Sequence, residues 1–236
     1  MGNKISLKIF ASVLLLALMP GHSQAQEENE QQHKLGELLY CDRFNSGLNN
    51  WVVEKSSETD SVVVADNSLV IDVNGGTTVW FNKKITGNVY IEYKRKVVMA
   101  NEKNDRLSDL NTFWMANDPA RKNLFTRSGN FQEYDSLLLY YVGIGGNTNS
   151  TTRFRKYDGK GDRKLLAEYL DADHLLQPNK EYTVGITVYD GKTRFSVDGT
   201  EYFSLTDPEP IKEGYFGFRT VHSRQAIQDF RVYRLK

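Results

Sequence analysis

The sequence predicts an all-β fold, a two-sheet antiparallel sandwich or jelly roll, on three observations. Short runs rich in Val, Ile, Thr and aromatic residues recur along the chain and alternate with period two. Asp190-Gly191 and Asp198-Gly199, and Asp66-Asn67 before them, separate such runs as hairpin turns do. Helical periodicity is confined to one weak stretch, Leu165 to Leu176, which Pro178 ends and which allows one short helix at most.

The N-terminal segment reads as an address. Lys4 and Lys8 form a basic start, Ile9 to Met19 is apolar but too short to span a bilayer, and Ser23-Gln24-Ala25 is a small-x-small cleavage site. Residues 1–25 are therefore expected to be a signal peptide, cleaved after Ala25 to deliver a periplasmic or secreted protein. Gln26 to Gly36 is polar and reads as a flexible leader. Residues 37–236 are expected to form one domain, a length ample for a sizeable core. No later apolar run is long enough for a membrane span. Cys41 is the only cysteine, so the core must hold the fold without an internal disulfide.

The elements follow in order. Leu38 to Tyr40 followed by Phe44 is a first edge segment, and Gly47 to Trp51 a loop delivering Trp51 to the core. Ser61 to Ala65 and Ser68 to Val73 flank a turn, Thr77 to Phe81 is a further strand, and Asn88 to Met99 alternates with one wet face. Ala116 to Asp135, with Pro119 and Gly129, is a long excursion of the kind that carries function. Tyr182–Tyr189, Lys192–Val197 and Glu201–Leu205 form successive hairpins, and Tyr215–Thr220 and Ile227–Leu235 close the chain as strands.

Between these lies the most informative hairpin, Leu137 to Tyr157. An apolar strand runs to Ile144, Gly145-Gly146-Asn147 turns the chain, and from Thr151 the residues alternate. Arg153, Arg155 and Tyr157 share one face. Two arginines two residues apart stand roughly 7 Å from each other, a spacing suited to two acidic groups of an extended ligand. A solvated arginine row is the alternative.

Several stretches resemble a known family: Asn104 to Met115 (NDRLSDLNTFWM), Tyr140 to Gly159 with GGNTNSTTRFRKYDG, and Glu213 to Arg234 (EGYFGFRT to DFRVYRL). They are similar to exported concanavalin-like jelly-roll proteins of polysaccharide-degrading Gram-negative bacteria, whose members carry labels such as sugar hydrolase or domain of unknown function. The likeness covers nearly the whole mature chain and implies a carbohydrate-directed protein. It is specific for the family and much less so for an activity, because jelly rolls host hydrolases, lyases and lectins alike. Cys41 stands where that family tends to have an acidic residue.

The candidate chemistry divides in two. Glycoside hydrolysis needs paired carboxyls, about 5 to 5.5 Å apart for retention or about 6.5 to 9.5 Å for inversion, and Asp105 with Asp109 or Glu133 with Asp135 are the candidates. The E-x-D-x-x-E pattern of jelly-roll glucanases is absent. Elimination from a uronate needs a cation or amide to neutralise the carboxylate and a group to take the proton. Asn147, Arg153, Arg155 and Arg219 suit the first task, and Tyr140, Tyr141, Tyr157 or His222 the second. Arg106, Asn111 and Trp114 suit sugar hydroxyls and ring faces; the alternative around Asp105 is a self-satisfied turn, in which Asp105 or Asp109 caps backbone N–H groups and Arg106 pairs with one of them. Gly217 between Tyr215 and Arg219 leaves a notch for a ligand or relieves crowding. The hairpin arginines are expected in one concavity with Tyr140 or Tyr141, Asn111 and Trp114, compensated by Asp105 and Asp109.

No cofactor is expected. His33, His174 and His222 are scattered, and Asp158 to Asp162 lacks the D-x-D-x-D-G calcium pattern, so no metal site is expected. Thirty basic residues balance thirty acidic ones, which gives no footprint for nucleic acid. The expected partner is a polysaccharide or oligosaccharide, and the expected function of the monomer is cleavage of a complex or uronic-acid-containing polysaccharide, as a lyase or a glycoside hydrolase; the alternative is a non-catalytic glycan-binding module.

Overall fold

A computed structural model describes residues 34–236. The signal segment, nearly all of the leader and His33 lie outside the described residues. The strands are β1 (Leu35–Asp42), β2 (Trp51–Lys55), β3 (Ser61–Ala65), β4 (Ser68–Phe81), β5 (Ile85–Thr86), β6 (Val89–Val97) and β7 (Leu110–Asn117). After the long excursion follow β8 (Leu138–Gly145), β9 (Thr151–Asp158), β10 (Arg163–Tyr169), β11 (Tyr182–Tyr189), β12 (Lys192–Val197), β13 (Thr200–Thr206) and β14 (Glu213–Leu235). All pairings are antiparallel, and the fold is a jelly roll.

Two long strands, β4 and β14, pass through both layers. The first half of β14 pairs with β7 and with the second half of β4, so one layer reads β10-β9-β8-β7-β14-β4-β2. The second half of β14 pairs with β6, β1 and the start of β4, which makes the other layer with β11, β12, β13 and β3. The sequence reading broke each long strand in two. Gly75 and Gly76 do not end β4; they let Ser56, Asp60 and Gly129 approach its backbone. In β14 the interruption is a bulge at Val221–Ser223, where His222 takes φ 43° and the strand bends from one layer into the other.

Three further expectations change. The stretch Leu165–Leu176 is not a helix, because its first half pairs with β9, with a bulge between Leu165 and Ala167, and only Ala172–His174 makes a 3-10 turn. Trp51 opens a strand instead of ending a loop, with its Nε1 donating to Asp42 Oδ2 at 2.9 Å. Leu35 and Gly36, read as leader, already belong to β1.

The main core fills the space between the layers, as alternation demands. Trp114 stacks between Phe154 and Phe195, at 5.8 and 6.0 Å, and Trp51 stacks on Phe218 at 5.4 Å, pairs that each add about 0.5–1.5 kcal/mol beyond buried area. A second cluster lies on the opposite face of the first layer. There Trp80, Phe113, Leu139 and Tyr157 of the strands pack against Tyr134 and Leu137 of the excursion 118–137. That cover explains why β7 is buried on both faces, although its sequence alternates little.

The excursion is braced from within. Arg127 pairs with Asp118 at 2.7 Å and donates to the carbonyls of Leu124 and Glu133 and to Ser136 Oγ. Glu54 of β2, itself buried, accepts Trp80 Nε1, Tyr134 Oη and the Arg127 N–H at 2.7–2.8 Å. Buried donors in a loop must find such acceptors, and one carboxylate here serves three.

Candidate functional site

The part of the first layer that the excursion leaves uncovered forms a cleft of about 700 Å³. Strand register builds its floor. Arg219, Asn111, Gly143, Arg153 and Glu168 lie opposite one another across β14, β7, β8, β9 and β10, and Thr78 of β4 continues the row beneath the excursion. In the neighbouring row, Phe113, Tyr141 and Arg155 follow one another. Walls come from Asn130–Gln132 of the excursion, from Gly146, Asn147 and Thr151 beyond β8, and from Gly161 to Arg163. The turn after β8 is left-handed at Asn147, Thr148 and Asn149 (φ 52°, 59° and 57°), a conformation that Asn tolerates best among side-chain-bearing residues.

Arg219 sits at one end of the row. It is buried, its Nη1 donates to Thr78 Oγ1 and the Gly129 carbonyl at 2.9 Å each, and its guanidinium lies over the rings of Phe131 and Tyr134 at 5.0 and 4.8 Å. No carboxylate pairs with it among the described residues, and burial lowers its pKa. Asn111 beside it is also buried, and its Oδ1 has no hydrogen-bond donor among the described residues. Gly143 next in the row has no side chain, and the Tyr141 hydroxyl and Asn111 Oδ1 occupy the space a Cβ there would need. Burial, then the nearby Tyr157 and Asp109, raise the Tyr141 pKa strongly, so its phenol keeps its proton. Arg153 pairs with Glu168 at 2.9 Å, and Arg155 donates to the Arg163 carbonyl at 2.8 Å; both remain partly exposed.

The cleft thus gathers Asp109, Asn111, Tyr141, Asn147, Arg153, Arg155 and Arg219. The other six candidates lie elsewhere. Trp114 and Tyr140 follow Phe113 and precede Tyr141 on their strands, so they point into the main core while Asn111 and Tyr141 face the cleft. Trp114 Nε1 bonds Thr193 Oγ1 at 3.0 Å, and the Tyr140 hydroxyl donates to Asp207 at 2.5 Å. Tyr157 shares the cleft face but is buried in the cluster under the excursion. Asp105 caps the N–H groups of Ala100 and Glu102 and pairs with Arg224 at 2.9 Å. Burial opposes its ionisation, but those donors and Arg224 outweigh it and hold its pKa below the usual range. Arg106 ties Asp109 to the carbonyls of Val221 and His222, and His222 itself is exposed on the bulge outside the cleft.

The expected compensation is also corrected. Glu168, not Asp105 or Asp109, answers Arg153. Of the carboxyl pairs considered for hydrolysis, Asp105 and Glu133 are both consumed by local donors, Glu133 by Ser128 N–H and Oγ at 2.6 and 2.8 Å. Gly217 makes room for the Trp80 ring, whose Cε3 would lie 2.5 Å from a Cβ there, and so it relieves crowding and opens no notch.

Gly143 and Arg95 are among the contributors that were missed. Gly143 carries no side-chain signal, although its parity with Tyr141 places it on the same face. Arg95 is wholly buried behind the cleft; its Nε donates to Gln225 Oε1 at 2.6 Å, and its Nη atoms to the Asn111 and Arg219 carbonyls at 2.6 and 3.0 Å. Burial lowers its pKa to about 10, which leaves it charged at neutral pH. An arginine on the otherwise apolar face Val89, Ile91, Tyr93 and Val97 is the signal that exposes it.

The family model described as "Domain of unknown function (DUF6250)" matches residues 71–230. The chain belongs to this family. Its matched span runs from within β4 to Phe230 of β14 and so includes every floor residue of the cleft. No curated protein matches the chain. Among solved structures, a Bacillus subtilis protein of unknown function with a galectin-like fold aligns with TM-score 0.72 at 18% identity, covering 86% of this chain and 98% of its own. An endo-beta-1,3-glucanase from Pyrococcus furiosus aligns with TM-score 0.58 at 13% identity, over 85% and 95% of the two chains. The carbohydrate-binding module CBM66 from Bacillus subtilis aligns with TM-score 0.54 at 12% identity, over 78% and 95%. These likenesses establish the fold. Among the described residues no helix is long and apolar enough to cross a membrane, and no group of three or more His, Cys, Asp or Glu is placed to hold a metal ion.

Proposed function

We propose that this family member is an exported protein whose concave cleft binds an acidic saccharide. One observation carries the reading: Arg219 and Asn111 lie side by side on the cleft floor, one a buried cation without a carboxylate partner and the other a buried acceptor without a donor. A uronate supplies both missing partners, a carboxylate for the guanidinium fork and hydroxyl donors for the amide oxygen. Arg153 and Arg155 extend the positive field toward the cleft mouth. That glucanases and a carbohydrate-binding module share the fold is consistent with a sugar ligand, and the basic start, apolar run and Ala25 support export. Retention on affinity gels loaded with a panel of acidic and neutral plant, algal and host polysaccharides tests the reading. Acidic glycans should retard the protein, and retardation by neutral glycans alone would overturn it.

A second reading, cleavage of the same ligand by elimination, is favoured by the position of Tyr141. With the carboxylate neutralised by Arg219, the C–H bond beside it breaks, a C=C bond forms, and the glycosidic C–O bond opens. Tyr141 would take the proton as phenolate and return it to the leaving oxygen. Burial of the phenol opposes the first half of that step, which is why binding is the leading reading. Formation of unsaturated uronate, read by ultraviolet absorbance, separates the two. A hydrolytic reading has weaker support, because Asp109 is held by Arg106 and the other candidate carboxyls lie outside the cleft.

A further inference from the structure

We infer that the cleft receives the end of a saccharide chain, not a stretch from its middle; this deepens the acidic-saccharide reading and rests on it. A groove crossing every strand of the first layer, from β2 to β10, would run roughly 29 Å at the usual strand spacing and would accept an extended chain along its whole length. The register row to which the floor belongs does run that far, from Glu54 on β2 to Glu168 on β10. Its first two positions, Glu54 and Thr78, are nevertheless buried, because the excursion lies over them.

The closure is made by main chain on main chain. Gly129 hands its carbonyl to Arg219, and a Cβ on Gly129 would lie 2.7 Å from Ser56 N and 2.8 Å from the Lys55 carbonyl carbon. A Cβ on Gly76, across the contact, would collide with the Gly129 carbonyl. Two glycines thus bring the excursion down onto β4 and the end of β2, and a gap too tight for a methyl group admits no sugar ring. The wall is also held in place, by the Arg127 network and by the three donors on Glu54, so it is a fixed end and not a flap. At the other end Arg153, Arg155 and Arg163 are partly exposed, and Gly161 and Asp162 beside them are exposed, so this end faces solvent.

Arg219 stands directly against the wall. A terminal uronate would place its carboxylate there, with a hydroxyl on Asn111, and the rest of the chain would leave past Arg153. The volume of about 700 Å³ falls in the range of sites that enclose a drug-sized ligand, which corresponds to a short oligosaccharide and not to a long one.

Calorimetric titration of the full mature chain with oligogalacturonates and oligoglucuronates of two, four and eight residues, and with the parent polymers, tests the inference. End recognition predicts dissociation constants per chain that agree within about twofold across lengths, and a polymer stoichiometry that counts chain ends. Affinity that climbs tenfold or more with length, or several protein molecules bound along one polymer chain, would overturn end recognition and leave acidic-saccharide binding standing. No binding at any length would overturn both, and is distinguishable from the previous outcome.

Discussion

Replacing Glu54 by Gln should loosen the wall of the cleft by a calculable amount. The carboxylate takes two donors on Oε2, from Trp80 and Tyr134, and one on Oε1, from the Arg127 N–H. In Glu54→Gln one of these oxygens becomes an NH₂, so one buried donor faces another donor, at a cost of about 1.5–3 kcal/mol for a hydrogen bond to a charged group. The surviving bonds lose their charge assistance, which takes the total to roughly 2–4 kcal/mol. With a urea slope of about 2 kcal/mol per M, the midpoint of unfolding should fall by about 1–2 M. Limited proteolysis should at the same time cut faster within 118–137, because the excursion loses its anchor on β2. Glu133→Gln is the control, since its partners lie on the exposed Ser128, and it should cost less than about 1 kcal/mol. A Glu54→Gln midpoint within about 0.3 M of the parent, with unchanged proteolysis, would refute the claim that this carboxylate holds the wall.

Arg95→Lys should lower ligand affinity without touching the ligand, because one ammonium cannot span the Gln225, Asn111 and Arg219 oxygens that the guanidinium fork holds; calorimetry on the folded variant reads the loss, alongside a stability decrease of about 2–4 kcal/mol. Trp114→Phe should cost about 1–2 kcal/mol through its lost bond to Thr193 and its smaller ring, and should leave binding unchanged. Asp105 gives stability a signed pH dependence: its folded pKa is depressed, so its contribution is complete above about pH 4, the unfolded value, and is lost as pH falls through the lower folded value. Denaturant titrations of the parent and Asp105→Asn across the acid range should therefore converge as pH falls. If elimination occurs, the raised Tyr141 pKa makes phenolate scarce, and the initial rate should rise about tenfold per pH unit through neutrality; a rate flat with pH would exclude Tyr141 as the base.

The strands were legible because alternation and Asp-Gly turns are local signals, and β11, β12 and β13 lie where those signals placed them. The continuity of β4 and β14 was not, since a glycine pair and a bulged histidine look like breaks until the partners that fill the space are known. On the cleft floor, parity alone grouped Arg153 with Arg155 and Asn111 with Phe113. The same parity separates Trp114 from Asn111 and Tyr140 from Tyr141, and applying it strictly would have removed both core aromatics from the site. Around Asp105 the self-satisfied turn was open to a sequence reading, since Asp105 caps the N–H groups of Ala100 and Glu102 and Arg106 pairs with Asp109 three residues on; what stayed hidden were the partners on β14, Arg224 and the carbonyls of the bulge, more than a hundred residues away. The role of Glu54 was equally hidden, since it depends on where a long excursion comes to rest.

The most direct test of the central claim is a paired calorimetric titration in which the parent protein meets an oligouronate and its methyl ester, repeated with Asn111→Ala. The account predicts that the free acid binds at least tenfold more tightly than the ester, a difference of about 1.4 kcal/mol or more, and that Asn111→Ala weakens binding of the acid while staying folded. Equal affinities for acid and ester, or an Asn111→Ala variant that binds the acid as the parent does, would contradict it.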